Sequence, residues 1–295
     1  MTMPNFFIVG AQKAGTTSLY HYLNQHPQVY MSPRKEPHFF EGMDSEFRRP
    51  GRRNAPVDDL AEYQALFEGA AGERAIGEAS ASYLYSPRAP GLIKDSVPDA
   101  RIIAILRSPA DRAYSNYLHV VQVGREPLGC FAEALQAEES RMRGRWGPLW
   151  YYKDKGFYYA QVKRYFDTFG RDRVGIWLYE DLRYDAPGTL GEVFRFLGVD
   201  ESFVPDASVE HNPSGVPRVG RLYTGVRALT ARNPVLVERV LPARLRGYVK
   251  SRLFAKPPPF APELREDLLY SYKEDISKLQ ELIGRDLSAW LKGTG

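Results

Sequence analysis

The sequence predicts an α/β fold with a central parallel sheet flanked by helices. Four short apolar runs, at 5–9, 74–77, 101–106 and 174–178, are rich in Ile, Val, Phe or Leu without polar alternation. That is the pattern of parallel strands covered on both faces. Helical patterns lie between them, which gives βαβ units with right-handed crossovers. With 295 residues, 43% of them hydrophobic, the chain is read as a single elaborated domain, 1–295, that builds its core without metals or disulfides.

Taken in order, the run 5–9 is the first strand. The helix that follows, 16–25, stops at His26-Pro27. Residues 31–58 read as a loop, with Pro33, Pro37, Pro50, Gly51 and Pro56, and a helix follows at 60–67. Strands at 74–77 and 101–106 come next, the second leading into a helix at 109–122 with Pro109 in its first turn. Helices are expected at 131–141 and 158–169, separated by an irregular zone at 144–156. After the strand 174–178, a helix at 189–197 ends on Gly198 as a C′ glycine. A third irregular zone spans 205–217. The stretch 262–291 reads as one or two amphipathic helices broken near Gly284, within a helical C-terminal part, 221–295.

Charge narrows the partners. Forty Lys and Arg against 36 Asp and Glu give a formal +4, short of a nucleic-acid coat protein. Ten of the basic residues lie in 216–256 with one acid, Glu238. Leu and Val alternate there with Arg, which suits a solvated helix face, an anionic acceptor or a peripheral membrane contact. Cys130 is the one cysteine, so no internal disulfide forms. No stretch approaches the roughly 18 apolar residues of a membrane span, and the N-terminal apolar run is one strand long. A cytoplasmic location is the resulting expectation.

The strongest local signal runs from Phe6 to Leu19. Strand, glycine-bounded loop and helix follow one another, the arrangement that aims backbone N–H groups and a helix N-terminus at a phosphate. Gly10 and Gly15 fit G-x-x-x-x-G-K-[ST], but Thr16 stands at the lysine position and Lys13 lies inside the loop. A second constellation runs from Arg107 to Ser115. A buried strand delivers Arg107 to its C-terminal end, and Ser115 sits about two turns into the next helix, a guanidinium and hydroxyl suited to a second phosphate. Where an NTPase commonly places a metal-binding Asp, this strand ends in Arg107. Glu180-Asp181, after the fourth strand, read as a salt bridge or helix cap. Two phosphate clamps, no metal carboxylate and a displaced lysine suggest a ligand with two separate phosphates.

These residues resemble the PAPS-dependent sulfotransferase family, in the branch shared by bacterial enzymes and the heparan sulfate sulfotransferases. Gln12-Lys13-Ala14-Gly15-Thr16-Thr17 is similar to the family's 5′-phosphosulfate loop, and Arg107 to Ser115 to its 3′-phosphate site. Lys35-Glu36-Pro37-His38-Phe39-Phe40 resembles the element that carries the acceptor-activating glutamate. Gly156-Phe157-Tyr158, Tyr179-Glu180-Asp181-Leu182 and Phe196-Leu197-Gly198-Val199 are typical of the bacterial branch. His211-Asn212-Pro213-Ser214-Gly215-Val216-Pro217-Arg218 resembles the late loop that covers the nucleotide. The similarity spans 5–220.

The resemblance implies a P-loop-like three-layer sandwich and transfer of a sulfuryl group from PAPS to a hydroxyl of a small-molecule, lipid or carbohydrate acceptor, with release of PAP and no metal. A sulfuryl group carries less charge than a phosphoryl group, so amides and one lysine suffice. The resemblance makes Gln12, Lys13, Ala14, Gly15, Thr16 and Thr17 the 5′ contacts, and Arg107, Ser115 and Arg218 the 3′ contacts. Tyr158 joins the nucleotide site. Lys13 would also stabilise charge on the leaving phosphate oxygen.

Glu36 is the candidate general base, with His38 its rival and His119 a third. A glutamate near its reference pKa of about 4.3 is a weak base that partial burial would strengthen. In the heparan sulfate O-sulfotransferases a lysine follows the glutamate of the second strand. Here Ala79-Ser80 follow Glu78, which removes that catalytic help and speaks against a sulfated polysaccharide. Trp146, Trp150, Tyr151 and Tyr152 suit either an acceptor pocket or packing beneath a loop. Two other functions compete: an ATP-dependent kinase of P-loop type, and a nucleotide- or membrane-binding module without catalysis.

Overall fold

The computed structural model describes residues 2–41, 56–206, 216–217, 254–255 and 258–291. Strands β1 (Phe6–Gly10), β2 (Val29–Met31), β3 (Ala75–Ala79), β4 (Arg101–Leu106) and β5 (Val174–Leu178) form one sheet in the order β2-β3-β1-β4-β5. Every pairing in it is parallel. The helices are α1 (Thr16–Leu23), α2 (Leu60–Ala65), α3 (Ala89–Ser96), α4 (Pro109–Gln122), α5 (Phe131–Gln136), α6 (Glu138–Arg143), α7 (Tyr158–Phe169), α8 (Tyr179–Tyr184), α9 (Ala186–Leu197), α10 (Pro262–Ile283) and α11 (Ser288–Leu291).

Side-chain alternation along the strands divides the core in two. Phe7, Val9, Ile102, Ala104 and Leu106 pack with residues of α3, α4, α7 and α10. Phe6, Ile8, Ile103 and Ile105 face the other way, against α1 and α9. Two covered faces make a three-layer sandwich, and this explains why the strands carry no polar alternation. Each fully buried Phe or Ile contributes about 1.5–3 kcal/mol relative to an exposed one.

Differences from the pattern expected of the sequence are local. β2 has three residues, too few to show a period, and pairing with β3 stabilises it just ahead of the span read as a loop, which it overlaps at Met31. The 131–141 pattern divides into α5 and α6 at Ala137, and Glu138 turns inward to accept the N–H groups of Tyr152, Lys153 and Asp154. α3 has a weak helical signature because Pro90 and Gly91 occupy its first turn. The C-terminal pattern breaks where expected, with Gly284 in the left-handed region between α10 and α11.

The order of strands fixes the site. The chain leaves β1 toward β2 and β3 on one side, then crosses to β4 and β5 on the other. The loops after β1, β3 and β4 therefore gather at the carboxyl ends of three adjacent strands, where open α/β sheets bind ligands.

Candidate active site

Two uncapped helix starts form the floor of the site. α1 begins at Gly15 and α4 at Ser108, and neither residue gives its helix a side-chain cap. No capping side chain meets the N–H groups that follow, which suits anions, while at α4 Pro109 has no N–H and the Ser108 N–H is met by the Glu180 carboxyl. The Ser108 hydroxyl is buried without a hydrogen-bond partner among the described residues.

Gly15 is required twice over. Its φ is +96°, and a Cβ there would lie 2.9 Å from Cδ2 of Tyr179. The same Tyr179 ring carries the Arg107 guanidinium 4.7 Å from its centroid, so one aromatic plate at the start of α8 locates both loops. Arg107 also donates from Nη1 to the Lys13 carbonyl at 3.4 Å, joining the β4 loop to the β1 loop. Burial, with Arg107 and Lys35 nearby, pushes the Lys13 amine down to about 8. Thr16, at the start of α1, and Ser115, on α4, are buried, while Gln12 and Thr17 are half-buried. Tyr158 is wholly buried, and its hydroxyl donates to the Arg107 carbonyl at 3.2 Å. It meets the Arg107 loop through that backbone contact.

Glu36 and His38 lie beside the turn after β3. The Glu36 carboxylate accepts from Lys35 Nζ at 2.7 Å and from the Ala81 N–H at 3.2 Å, with His38 Nε2 at 3.4 Å. His38 Nδ1 lies 2.8 Å from the Ser82 hydroxyl. Lys13, Glu36 and His38 are three of the four non-glycine residues with positive φ among those described, at 70°, 61° and 56°. Such conformations cost on the order of 1–3 kcal/mol each and cluster at functional sites.

Of the support beneath Glu36 and His38, the family resemblance marks Glu78 as the second-strand glutamate but says nothing of its contacts. Glu78, on β3, is wholly buried and accepts hydrogen bonds from Tyr63 at 3.2 Å and Ser80 at 3.1 Å, with Tyr83 a third side-chain partner. Ser80 in turn accepts the His38 N–H, and Tyr83 accepts the Phe40 N–H, both at 3.1 Å. Burial outweighs the three hydrogen bonds and raises the Glu78 carboxyl to about 8. A charged residue type in an otherwise apolar strand is the signal that points to it.

Other residues singled out from the sequence fall outside this cluster. Arg218 and most of 216–256 lie outside the described residues. Asp181 pairs with Arg285 at 2.6 Å, in keeping with the salt-bridge reading. Tyr152 is wholly buried in the core, whereas Trp146 is 39% exposed and edge-on to Trp150. Lys155, which no sequence motif marks, is buried beside the first loop and donates to Gln12 Oε1 at 2.8 Å. No helix among the described residues is long and apolar enough to cross a membrane.

Comparison with known proteins agrees with this geometry. The family model described as "Sulfotransferase family" matches residues 4–203, which include all three loops. The chain belongs to this family. A sulfotransferase crystal structure from Alicyclobacillus acidocaldarius is 39% identical with a TM-score of 0.77, covering 99% of this chain and 100% of that one. The bifunctional heparan sulfate N-deacetylase/N-sulfotransferase 4 of Mus musculus is 27% identical over 299 residues, covering 98% of this chain and 31% of that protein. Carbohydrate sulfotransferase 15 of Homo sapiens is 28% identical over 246 residues, covering 67% of this chain and 44% of that protein. The chain thus spans less than half the length of these curated relatives.

Proposed function

We propose that the chain transfers the sulfuryl group of PAPS to a hydroxyl of a small-molecule, lipid or carbohydrate acceptor and releases PAP. One observation carries the proposal: two helix starts without side-chain caps, one beside Lys13 and one beside Arg107, lie in adjacent loops tied together by Tyr179, and the next loop, after β3, holds Glu36 through the Ala81 N–H. Two separated anion sites match a nucleotide with 5′ and 3′ phosphates better than a triphosphate chain.

The roles follow from the chemistry of each group. The amides of 12–17 with Thr16 and Thr17 bind the 5′ end, and Arg107 with Ser115 binds the 3′-phosphate. Tyr158 keeps the Arg107 loop in place, and Arg218 is assigned to the 3′-phosphate by its motif. The acceptor oxygen attacks sulfur as the bond from sulfur to the phosphate oxygen breaks. Glu36 takes the acceptor proton, and Lys13 stabilises the negative charge on the leaving oxygen. His38, bonded to Ser82 and facing Glu36, holds the carboxylate or takes the proton itself. No step requires a metal, and the reaction is assigned to the cytosol.

The names of the relatives favour a sugar within the acceptor class. The test is PAP formation from PAPS across a panel of phenols, sugars and lipids, with mass spectrometry of the acceptor. A gain of about 80 mass units, one SO₃, that persists in EDTA supports the reading. Tight Mg-ATP binding with no preference for a 3′-phosphate would instead favour the kinase.

A further inference from the structure

Two cations are buried side by side near Gln12 without a carboxylate to pair with among the described residues. Lys155 is 7% exposed and Arg112, on α4, is 1% exposed. Both line one pocket together with Gln12, Ser82, Tyr85 and Gln161. The pocket lies between the loop after β1 and the turn after β3, next to Glu36.

Their hydrogen bonds are incomplete. Among the described residues Lys155 Nζ has one hydrogen-bond acceptor, Gln12 Oε1, and lies 5.7 Å from the centre of the Tyr85 ring. Arg112 donates from Nη2 to the Tyr152 carbonyl, while its Nε and Nη1 are buried with no partner among the described residues. The surrounding acids are engaged elsewhere. Glu138 accepts three backbone N–H groups, Glu36 pairs with Lys35, and Glu41 lies 3.5 Å from His38 Nδ1. Burial and the Arg112 charge lower the Lys155 amine to about 7.

The fold holds this pair in place. Gln161 donates to the Lys155 carbonyl at 3.1 Å, and Tyr272 donates to the Lys153 carbonyl at 2.6 Å. A Cβ at Gly156 would come within 2.5 Å of the Tyr272 oxygen, so this turn closes only over glycine. An unpaired buried cation is costly, and an anionic partner offsets that cost. Buried donors without protein partners mark a place where a bound ion or water completes the hydrogen bonding.

The geometry points to an oxyanion site, formed by Lys155 and Arg112, that takes one sulfonate, sulfate or carboxylate group between the phosphosulfate loop and Glu36. This rests on the sulfotransferase reading. The oxyanion has two sources: the transferring sulfuryl group of PAPS, or an anionic substituent on the acceptor. Both present the same oxygen edge to the two cations.

The test uses the full chain saturated with PAP and titrated with inorganic sulfate against chloride at constant ionic strength, read by calorimetry and thermal unfolding. Wild type binds sulfate. Lys155→Met weakens sulfate binding at least tenfold, keeps PAP affinity within twofold and leaves the free protein no less stable. Lys155→Arg retains the sulfate response. If Lys155→Met does not fold, Lys155→Gln decides by the same criteria. The PAPS complex separates the sources: sulfate excluded from it identifies the transferring group, and sulfate still bound identifies the acceptor. Sulfate affinity unchanged in Lys155→Met, or absent from the wild-type PAP complex, overturns the site. Failure of wild type to bind PAP would instead overturn the sulfotransferase reading.

Discussion

Glu78 holds the backbone of His38 through a single hydroxyl: Ser80 donates to the buried carboxyl at 3.1 Å and accepts the His38 N–H at 3.1 Å. Tyr83 accepts the Phe40 N–H and shares a hydrogen bond with the same carboxyl. The segment that carries Glu36 and His38 is therefore hung from the interior of the sheet, which sustains its two positive-φ residues.

A first prediction concerns that carboxyl. Its raised value of about 8 lies above the ordinary value of 4.5, so the folded protein retains a proton that the unfolded chain releases. Its stabilising effect is complete below about 4.5 and is lost as pH rises through about 8, by at most about 1.4 kcal/mol per pH unit. Glu78→Gln keeps the shape without the proton. Its stability relative to wild type should increase between pH 5 and 8 in urea titrations. A constant difference across that range would show that Glu78 is ionised in the fold.

If Lys13 binds PAP as proposed, the affinity for PAP should depend on pH. Its amine is lowered to about 8 in the free protein, and a bound phosphate restores the charged form. Above pH 8 binding must recruit a proton, so PAP affinity should fall by up to about tenfold per pH unit. Calorimetry at pH 7, 8 and 9 measures this. Lys13→Arg, which stays charged, should flatten the profile even where activity is lost. An equal slope in both proteins would assign the proton to another group.

Gly15→Ala combines a left-handed backbone with a contact 2.9 Å from the Tyr179 ring. Backbone strain alone is about 1–2 kcal/mol. Displacing Tyr179 also disturbs the Arg107 stack, so PAP affinity should fall at least tenfold. An affinity within twofold of wild type would show that the two loops are not coupled through this ring.

Glu36 and His38 are separated by kinetics. Glu36→Gln should lower kcat at least a hundredfold, within the range of a general base, with PAP affinity nearly intact. His38→Ala should cost less, since in the proposed mechanism its contacts to Ser82 and Glu36 position the carboxylate. The opposite ranking would transfer the base role to His38.

The layered fold, the glycine-bounded loop after β1 and the place of Arg107 at the end of β4 are legible in the chain because they depend on local patterns. Apolar runs mark β1, β4 and β5, glycines bound the loop at 10–15, and a strand end delivers Arg107. Glu36 and His38 are legible too, through their motif. Of what supports them, Glu78 is marked by the resemblance, but its contacts emerge only on folding. Glu78, Ser80 and Tyr83 reach the Glu36 segment across some forty residues, and Lys155 reaches Gln12 across 143. Buried polar contacts of this kind have no period in the chain. They form where strand order brings distant loops to one edge, and burial then decides which groups keep their charge.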